Sequence, residues 1–538
     1  MSAPLLGVRN LSVDFHTAQG VVHAVRDVSW WVDRGETLAI LGESGSGKSV
    51  SASAVMNLLD IPPAHIASGE VMFEGVDLLQ ASHEHRRALN GKRIAMIFQD
   101  PLAHLNPVYT VGWQIIETMT AHDRPVDAAR ARAIELIARV GIPNPEEALH
   151  KHPHQFSGGQ RQRLMIAMAL MLKPDILLAD EPTTALDVTI QAGVLALLKE
   201  LQAETGMGLV LITHDLGVVA RMADRVVVMS KGEIVEQGSV RDVYHRPQHP
   251  YTRQLIGAAP GKGAFKSVGE EAPFLLEVSG LLKSYGEFTA LKDASFSLSR
   301  GQCLAVVGES GSGKSTLART ILRLEAADGG RALWKGRDLI TMNRRELLTV
   351  RRQIQMIFQD PSQSLNPRMS VYQLIAEGWD IHGLMPDRRQ RQGRVAELLE
   401  QVGLLPEHAA RYPHQFSGGQ RQRIAIARSL ALQPDLIVCD EAVSALDVSI
   451  QAQVIALLEK LRRELGIAFL FIAHDLGVVR DFADTVMVMK SGEIVERGPT
   501  ATIFDAPQHP YTQRLLAANL EPDPDAHGRE ARVGAARS

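Results

Sequence analysis

At 538 residues the chain is long enough for more than one domain, and 45% hydrophobic with 22% charged residues is a globular composition. The formal net charge of −4 gives no strong electrostatic case for a surface that binds nucleic acid or anionic membranes over the whole molecule, and it leaves local basic patches open. The two cysteines, Cys303 and Cys439, are too few for a disulfide framework, and we expect both to be buried strand thiols.

No segment has the pattern of a membrane span or a secretory signal. The longest apolar stretch, from Leu164 to Leu172, is about half of the roughly 18 residues that suggest a span. The opening MSAPLLGVRN leads directly into a strand-like stretch. We therefore expect a subunit that does not cross the bilayer, so other chains must supply any pore that it serves.

The first strong signal along the chain is the glycine-rich segment GESGSGKS, which follows the apolar run TLAILG and precedes a helical pattern. This order of strand, loop and helix is that of a phosphate-binding loop. Its glycines let backbone amides turn towards phosphate oxygens, and the helix presents its positive N-terminus to the anion. Lys48 is expected to reach the β and γ phosphates, and the Ser49 hydroxyl to bind magnesium.

A helical subdomain is predicted between Gln99 and Ser157, where VDAARARAIELIARVGI has the apolar spacing of a helix. The string QFSGGQRQR closes this region. A serine with two glycines at a helix start is a second anion-binding device, yet the phosphate loop of the same half already occupies the phosphates. Its use must be sought across an interface.

The runs ILLAD and LVLIT are predicted to be central strands of a buried, largely parallel sheet. Asp180 ends the first run, where a carboxylate can hold magnesium, and Glu181 follows it, where an acidic residue can polarise the attacking water. His214 follows the second run, so we expect its imidazole at the same sheet edge, in contact with the γ-phosphate.

The whole series of motifs occurs a second time, which indicates a duplicated unit. Lys314 follows Lys48 by 266 residues, and the later pairs share one offset of 260 residues. Those pairs are Gln99 with Gln359, Ser157 with Ser417, Glu181 with Glu441, and His214 with His474. We predict an α/β chain with one domain over residues 1–256, a glycine-rich flexible linker over 257–273, a second domain over 274–520, and a disordered tail over 521–538.

These motifs together resemble those of the ATP-binding-cassette superfamily, and the resemblance covers nearly the whole chain. It implies two tandem P-loop nucleotide-binding domains, each with a RecA-like parallel-sheet core, an antiparallel β region and a helical subdomain. In that superfamily the signature motif of one domain closes over the nucleotide that the other holds. The two halves are therefore expected to form an intramolecular ATP sandwich.

The resemblance implies two ATP sites with these residues. The first site would contain Gly42, Glu43, Ser44, Gly45, Ser46, Gly47, Lys48 and Ser49 with the signature residues Ser417, Gly418, Gly419 and Gln420. The second would contain Gly308, Glu309, Ser310, Gly311, Ser312, Gly313, Lys314 and Ser315 with Ser157, Gly158, Gly159 and Gln160. The expected catalytic residues are Glu181, Glu441, His214, His474, Gln99 and Gln359, and the expected magnesium ligands are Ser49, Gln99, Asp180, Ser315, Gln359 and Asp440.

The adenine in such proteins is usually stacked on an aromatic residue upstream of the phosphate loop. Phe15 and Tyr285 are the candidates here, although aromatic residues on strands are more often part of a core.

Four further strings resemble the ATPases of dipeptide, oligopeptide and nickel importers: FQDPLAHLNP, FQDPSQSLNP, PQHPYTRQLI and PQHPYTQRLL. The resemblance implies an ATPase that uses ATP and Mg²⁺, lies at the cytoplasmic face of the inner membrane, and binds two permease subunits near the Gln99 and Gln359 loops. A separate solute-binding protein would present the substrate, and no nucleic acid is expected. Dipeptides, oligopeptides, glutathione, peptide antibiotics and nickel chelates all remain open as substrates.

Two rival classes remain. One is a two-cassette protein that acts on the ribosome, although such proteins generally carry a long charged helical linker that this chain lacks. The other is a regulator that binds ATP without turnover, which the presence of Glu181 and Glu441 argues against. Ala442 stands where the first half has Pro182, and we do not interpret that change as inactivation.

Overall fold

The computed structural model describes residues 4–17, 20–99, 104–183, 186–266, 273–359, 364–385, 387–444 and 446–526. Contacts divide the chain into two compact units, one made of Met1–Ala258 with Leu520–Ser538 and the other of Ala259–Asn519. Part of the predicted linker and the tail beyond Ala526 lie outside the described residues, so the domain boundaries and the disorder of the tail beyond Ala526 stay predictions.

The first unit contains one antiparallel and one mainly parallel sheet. The antiparallel sheet has the order β2-β1-β4-β5, and the larger sheet has the order β10-β9-β3-β8-β7-β6. Only β10 runs antiparallel to its neighbour in the larger sheet. The strands are β1 (Leu6–Thr17), β2 (Gly20–Val32), β3 (Thr37–Leu41), β4 (Ala64–Phe73), β5 (Val76–Asp77), β6 (Ile94–Ile97), β7 (Ile176–Asp180), β8 (Gly208–Thr213), β9 (Arg225–Ser230) and β10 (Glu233–Ser239).

The three central strands β3, β7 and β8 are buried along their whole length. Strands covered on both faces need apolar residues at every position, which is why they read as continuous runs and not as alternating patterns. The predicted central strands are therefore confirmed.

Helices cover the parallel sheet and form the predicted helical subdomain of the first unit. In α4 the buried residues Ala129, Ala133, Leu136 and Ile137 recur at helical spacing, so a single face packs inwards. The helices are α1 (Lys48–Met56), α2 (His83–Leu89), α3 (Val111–Thr120), α4 (Val126–Arg139), α5 (Pro145–Ala148), α6 (Gly158–Ala169), α7 (Val188–Thr205), α8 (Leu216–Met222), α9 (Val240–His245) and α10 (Pro250–Gly257), with a 3₁₀ turn at Pro153–Gln155.

The second unit repeats this architecture, with sheets β12-β11-β14-β15 and β16-β17-β18-β13-β19-β20. Its strands are β11 (Phe274–Tyr285), β12 (Phe288–Ser299), β13 (Cys303–Val307), β14 (Gly329–Trp334), β15 (Arg337–Asp338), β16 (Ile354–Ile357), β17 (Leu436–Asp440), β18 (Ala468–Ile472), β19 (Thr485–Lys490) and β20 (Glu493–Pro499). Cys303 and Cys439 are buried free thiols on β13 and β17, as predicted.

The helices of the second unit follow the same order. They are α11 (Lys314–Ile321), α12 (Arg344–Gln353), α13 (Val371–His382), α14 (Arg388–Gln401), α15 (Gly418–Leu430), α16 (Val448–Leu465), α17 (Leu476–Phe482), α18 (Thr500–Asp505) and α19 (Pro510–Ala517), with 3₁₀ turns at Pro406–Ala410 and Pro413–Gln415. Across the described part of the chain, none of the helices has the length and apolar content needed to span a bilayer.

The first unit is built from two separate stretches of chain. Leu520 packs so closely on α8 that a Cβ atom at Gly217 would lie 2.3 Å from the Leu520 carbonyl oxygen. Further along, one carboxylate oxygen of Asp525 forms an ion pair with Arg241 at 3.2 Å, and the other lies 3.0 Å from His245 Nε2. This short C-terminal segment is therefore an integral part of the first unit.

In the second unit the corresponding helix, α17, is covered in a comparable way by the residues that begin the unit. A Cβ atom at Gly477 would lie 3.1 Å from Pro260. Asp481 accepts hydrogen bonds from the backbone N–H groups of Gly261 at 2.7 Å and Gly263 at 2.9 Å. The stretch that follows α10 thus packs on the second unit.

An aromatic cluster stabilises the second unit where the first has aliphatic side chains. The ring of Phe482 lies 5.6 Å from that of Phe469 and 5.2 Å from that of Phe471, both in edge-to-face geometry. All three side chains are buried. The residues 260 positions earlier are Leu209, Leu211 and Met222.

We expect Phe482→Ala to destabilise the second unit by about 3–5 kcal/mol, because it removes ring contacts and leaves a cavity. That loss corresponds to a decrease in Tm of roughly 6–20 °C in the calorimetric transition of this unit. The control is Phe482→Met, which installs the residue of the first repeat and should cost less than about 1.5 kcal/mol. Equal losses for the two variants would contradict this account of the cluster.

Candidate functional site

The phosphate loop of each unit turns into its helix through a glycine that no other residue can replace without strain. Gly47 has φ of 96°, and a Cβ atom there would lie 2.5 Å from the carbonyl oxygen of Ala24. Gly313 has φ of 104°, and its Cβ would meet Ala290 at the same distance. The left-handed conformation and the close approach both require glycine at this turn.

The loop lysines lie inside their own loops. Lys48 Nζ donates to the carbonyl oxygens of Gly42 at 2.7 Å and Glu43 at 2.8 Å, and its side chain is 5% exposed. Lys314 makes the equivalent bonds to Gly308 at 2.8 Å and Glu309 at 2.9 Å. A buried ammonium group held by carbonyl dipoles places a fixed positive charge beside the loop, where an anionic phosphate would bind.

The hydroxyl that follows each lysine is bonded to the carboxylate that ends a central strand of the parallel sheet, β7 in the first unit and β17 in the second. Ser49 Oγ donates to Asp180 at 3.0 Å, and Ser315 Oγ donates to Asp440 at 2.9 Å. Burial raises the pKa of Asp180, and the hydrogen bond from Ser49 opposes that shift. Paired hydroxyl and carboxylate oxygens are hard ligands that fit Mg²⁺.

The next residue, Glu181, has an unusual backbone. Its φ is 47°, and Glu441 has φ of 50°. A non-glycine residue in the left-handed region is strained, and such strain clusters at functional sites. The Glu181 N–H donates to the carbonyl of Ile212 at 2.8 Å, so the chain leaves β7 through this strained residue while still attached to β8.

The predicted glutamines and histidines reach these carboxylates. Gln99 Nε2 donates to Glu181 at 2.8 Å, and His214 Nδ1 lies 2.9 Å from the other oxygen of Glu181. In the second unit Gln359 Nε2 donates to Glu441 at 2.7 Å, whereas His474 Nδ1 lies 3.8 Å from Glu441. Each unit therefore brings its glutamine, glutamate and histidine together, with a looser histidine in the second.

An open cavity of 290 Å³ marks the second phosphate loop. Its lining residues are Ser310, Gly311, Gly313, Lys314, Ser315, Thr316, Gln359 and Glu441. Sequence reasoning missed Thr316, which follows the last residue of the motif. Its counterpart in the first repeat is Val50, so comparison of the repeats gave no sign of a polar role.

The signature strings begin helices, and their serine and glutamine have a local structural role that sequence reasoning also missed. Ser157 caps α6 by accepting from the Gln160 N–H at 3.3 Å, while Gln160 Oε1 accepts from the Ser157 N–H at 3.0 Å. Ser417 and Gln420 form the same reciprocal box at 3.4 and 3.1 Å. The spacing S-x-x-Q before a helix could have revealed it.

The two candidates for adenine stacking both lie on their antiparallel sheets, and their surroundings differ. Phe15, on β1, is partly buried and packs against the apolar core of the first unit. Tyr285, the last residue of β11, is 47% exposed, and its hydroxyl bonds to Glu325. The stacking role stays a prediction for both residues.

The sequence matches known family models in four places. A model described as "ABC transporter" matches residues 25–184 and 291–444. A model described as "Oligopeptide/dipeptide transporter, C-terminal region" matches residues 235–274 and 495–538.

Curated relatives match nearly the full chain. The glutathione import ATP-binding protein GsiA of Salmonella choleraesuis (strain SC-B67) is 48% identical over 568 residues, which cover 98% of this chain and 91% of that protein. The protein of the same name from Escherichia coli (strain K12) is 48% identical over 556 residues, which cover 96% and 89%.

Solved structures of single cassettes are also similar to parts of the chain. The cbiO1 protein of Clostridium perfringens, part of the ABC transporter complex cbiONQ, is 29% identical with a TM-score of 0.40 and covers 43% of this chain and 91% of that one. The cassette MJ0796, solved as a dimer bound to ADP and Pi, is 27% identical with a TM-score of 0.40 and covers 44% and 99%.

Substitution by asparagine should change the Tm in opposite directions at Asp180, the last residue of β7, and at Asp175, which directly precedes that strand. Asp180→Asn should raise the Tm of the nucleotide-free protein by about 2–4 °C, the change that about 1 kcal/mol produces in a domain of this size, because it removes a buried charge. Since burial raises the folded pKa of Asp180 above the unfolded value, the ionised form opposes folding. The gain should therefore shrink as pH falls through the raised pKa that Asp180 has in the folded protein.

Asp175→Asn is the matched control. Burial raises the pKa of Asp175, but Arg93 at 2.6 Å and Arg34 at 3.0 Å outweigh it and hold that pKa below its usual range. The ionised form therefore stabilises the fold, so this variant should lower the Tm at every pH above the unfolded pKa of the carboxyl group. Scanning fluorimetry against pH measures both effects, and a decrease for Asp180→Asn would contradict the prediction.

Proposed function

This chain belongs to the ABC transporter family, and we propose that it is the ATP-hydrolysing motor subunit of an importer for dipeptides, oligopeptides or related small peptides. The observation that carries the proposal is the presence in one chain of two ABC transporter segments with phosphate loops, each followed by a segment that matches the C-terminal region of oligopeptide and dipeptide transporters. The relatives are named as glutathione import proteins, and glutathione is itself a small peptide.

ATP binding begins at the loop lysines. When ATP binds, Lys48 Nζ and Lys314 Nζ would release the loop carbonyls and donate to oxygens of the β and γ phosphates. Loop amides and the helix N-terminus would bind the remaining phosphate oxygens. The lysine is already buried and oriented in each unit, so little ordering is needed when the nucleotide binds.

We propose that Mg²⁺ accompanies the nucleotide. The bonded pairs Ser49 with Asp180 and Ser315 with Asp440 support this assignment, and Gln99 and Gln359 would complete the protein ligands. When bound, the ion neutralises charge that develops on the phosphates.

Glu181 and Glu441 are assigned to the attacking water. A carboxylate directly after the strand end can accept a proton from water in line with the γ-phosphate. The contacts to Gln99 and His214 fix both oxygens of Glu181, which supports its role as an oriented base. We propose that His214 and His474 also contact the γ-phosphate.

Closure would complete each site with the signature of the other unit. We propose that Ser417, Gly418, Gly419 and Gln420 close over the Lys48 loop, and that Ser157, Gly158, Gly159 and Gln160 close over the Lys314 loop. The helix that starts at each signature supports this idea, because a helix N-terminus attracts phosphate oxygens.

The partners follow from the importer class. We propose that the chain lies on the cytoplasmic face of the inner membrane and docks two integral-membrane permease subunits near the Gln99 and Gln359 loops. A solute-binding protein outside would deliver the peptide, so the motor itself has no need to recognise the cargo.

To test the function, the tagged chain should be purified from its native membrane in detergent. We expect two multispan permeases to copurify, and ATPase activity to rise when a peptide-loaded binding protein is added. The variant carrying both Glu181→Gln and Glu441→Gln should assemble and bind ATP but lose nearly all turnover, because the water is no longer polarised.

The control for that variant is Glu200→Gln, which removes an exposed carboxylate that pairs only weakly with Arg139 at the surface. It should keep wild-type turnover. Full activity in the double variant would overturn the catalytic assignment, and ribosomes in place of permeases would overturn the importer.

The shared-site arrangement predicts a crossed effect. Ser417→Arg should reduce labelling of the Lys48 loop by a photoreactive ATP analogue more than labelling of the Lys314 loop, because a long cation would block closure over that loop. Ser157→Arg is the matched variant and should show the reverse. Peptide mapping of the labelled chain separates the loops, and loss of labelling within the same half as each substitution would refute the pairing.

A further inference from the structure

The repeated string PQHPYT carries a tyrosine that contacts the phosphate loop of its own unit. Tyr251 Oη accepts a hydrogen bond from the backbone N–H of Glu43 at 3.2 Å. Tyr511 Oη accepts from the N–H of Glu309 at 3.0 Å. The contact spans 208 residues in the first repeat and 202 in the second, so it is kept although the sequence separation changed.

We propose that Tyr251 and Tyr511 are positioning residues that hold the first peptide of each phosphate loop in place for the loop lysine. This inference rests on the proposed function of the two loops. It extends that function to the C-terminal region, which would tune ATP affinity from outside the known motifs.

The physical basis is the planarity of one peptide unit. The N–H of Glu43 and the C=O of Gly42 belong to the same planar peptide, and that carbonyl accepts from Lys48 Nζ at 2.7 Å. The tyrosine therefore fixes one side of the unit while the lysine binds the other. Without the tyrosine hydroxyl this peptide unit could rotate, and the rotation would turn its carbonyl away from the lysine.

The second unit repeats this chain of contacts. The Gly308 carbonyl accepts from Lys314 Nζ at 2.8 Å, and the N–H of the same peptide, on Glu309, donates to Tyr511. Two copies with the same geometry make a chance contact a poor explanation.

The tyrosine is itself held by the sheet in the first unit. Glu236 on β10 accepts from the N–H of Gln248 at 2.8 Å and of His249 at 3.0 Å, just before Pro250 starts α10. His249 Nδ1 then accepts from the Tyr251 N–H at 3.2 Å. Burial raises the pKa of Glu236, but these backbone hydrogen bonds together with Thr252 and the charge of His249 outweigh it, so that its pKa lies below the usual value.

The second unit anchors its tyrosine in the same way. Glu496 on β20 accepts from the N–H of Gln508 at 2.8 Å and of His509 at 3.1 Å. His509 Nδ1 accepts from the Tyr511 N–H at 3.2 Å. Sheet, helix start and phosphate loop thus form one connected hydrogen-bond path in each unit.

A third tyrosine provides the comparison. Tyr244 donates its hydroxyl proton to the Leu216 carbonyl on α8 at 2.6 Å in a buried setting. The residue 260 positions later is Phe504, so the second repeat dispenses with that hydroxyl. Tyrosine is present in both repeats only where the hydroxyl binds the loop.

The test uses two full-length variants. The loop variant carries both Tyr251→Phe and Tyr511→Phe, and the control variant carries Tyr244→Phe. Loss of two loop hydrogen bonds should raise the KM for ATP by about 3–10-fold, as expected for bonds of ordinary net strength. We expect kcat to change by less than about twofold, because the lysine binds the phosphates in ground and transition states alike. The increase in Tm that ATP causes should shrink in parallel.

Tyr244→Phe removes a comparable hydroxyl and should leave the KM for ATP at the wild-type value. An unchanged KM in the loop variant, or an equal increase in the control, would overturn the inference, whatever the loss in Tm. Absence of ATPase activity in the wild-type chain would instead reject the proposed function itself. The single variants offer a second readout with the photoreactive ATP analogue. Tyr251→Phe should weaken labelling of the Lys48 loop, and Tyr511→Phe should weaken labelling of the Lys314 loop.

Discussion

The alignment of parallel strand ends is the constraint on which each unit depends. Strands β3, β8 and β7 are neighbours, with Leu41 opposite Thr213 and Asp180 opposite Ile212. Strands are spaced about 4.8 Å apart, so three adjacent ends place the phosphate loop, the histidine and the acidic pair within about 10 Å. The proposed chemistry depends on this geometry. Residues that are distant in sequence meet at the same edge of the sheet only if the strands keep this register.

Sequence reasoning recovered the parts of the site that this constraint governs. Apolar runs mark buried strands, and the residue after each run must lie at the common edge, so Asp180, Glu181 and His214 could be placed together. The helical subdomain was equally readable from its spacing. The strained backbone of Glu181 could not be predicted, because no local composition signals a positive φ at a glutamate.

Contacts made between irregular segments also escaped prediction. The tyrosine of PQHPYT reaches a backbone amide some two hundred residues away, and neither periodicity nor charge pattern encodes such a pairing. Comparison of the two repeats likewise shows which residues correspond, but it does not show how far apart their atoms lie. His214 and His474 occupy equivalent positions, yet only the first lies within hydrogen-bond reach of its glutamate, so identical motifs need not give identical geometry.

The division of the chain has a consequence for biosynthesis. The second unit is one continuous stretch, whereas the first needs Leu520 and Asp525 to cover α8 and α9. On a ribosome the first unit would emerge early but wait, with Gly217 uncovered, until more than 260 further residues had been made. Domains generally fold as units in the order of synthesis, and here the first unit would be completed only after the second had been made. Splitting the gene between the repeats would accordingly leave the first half without its closing segment.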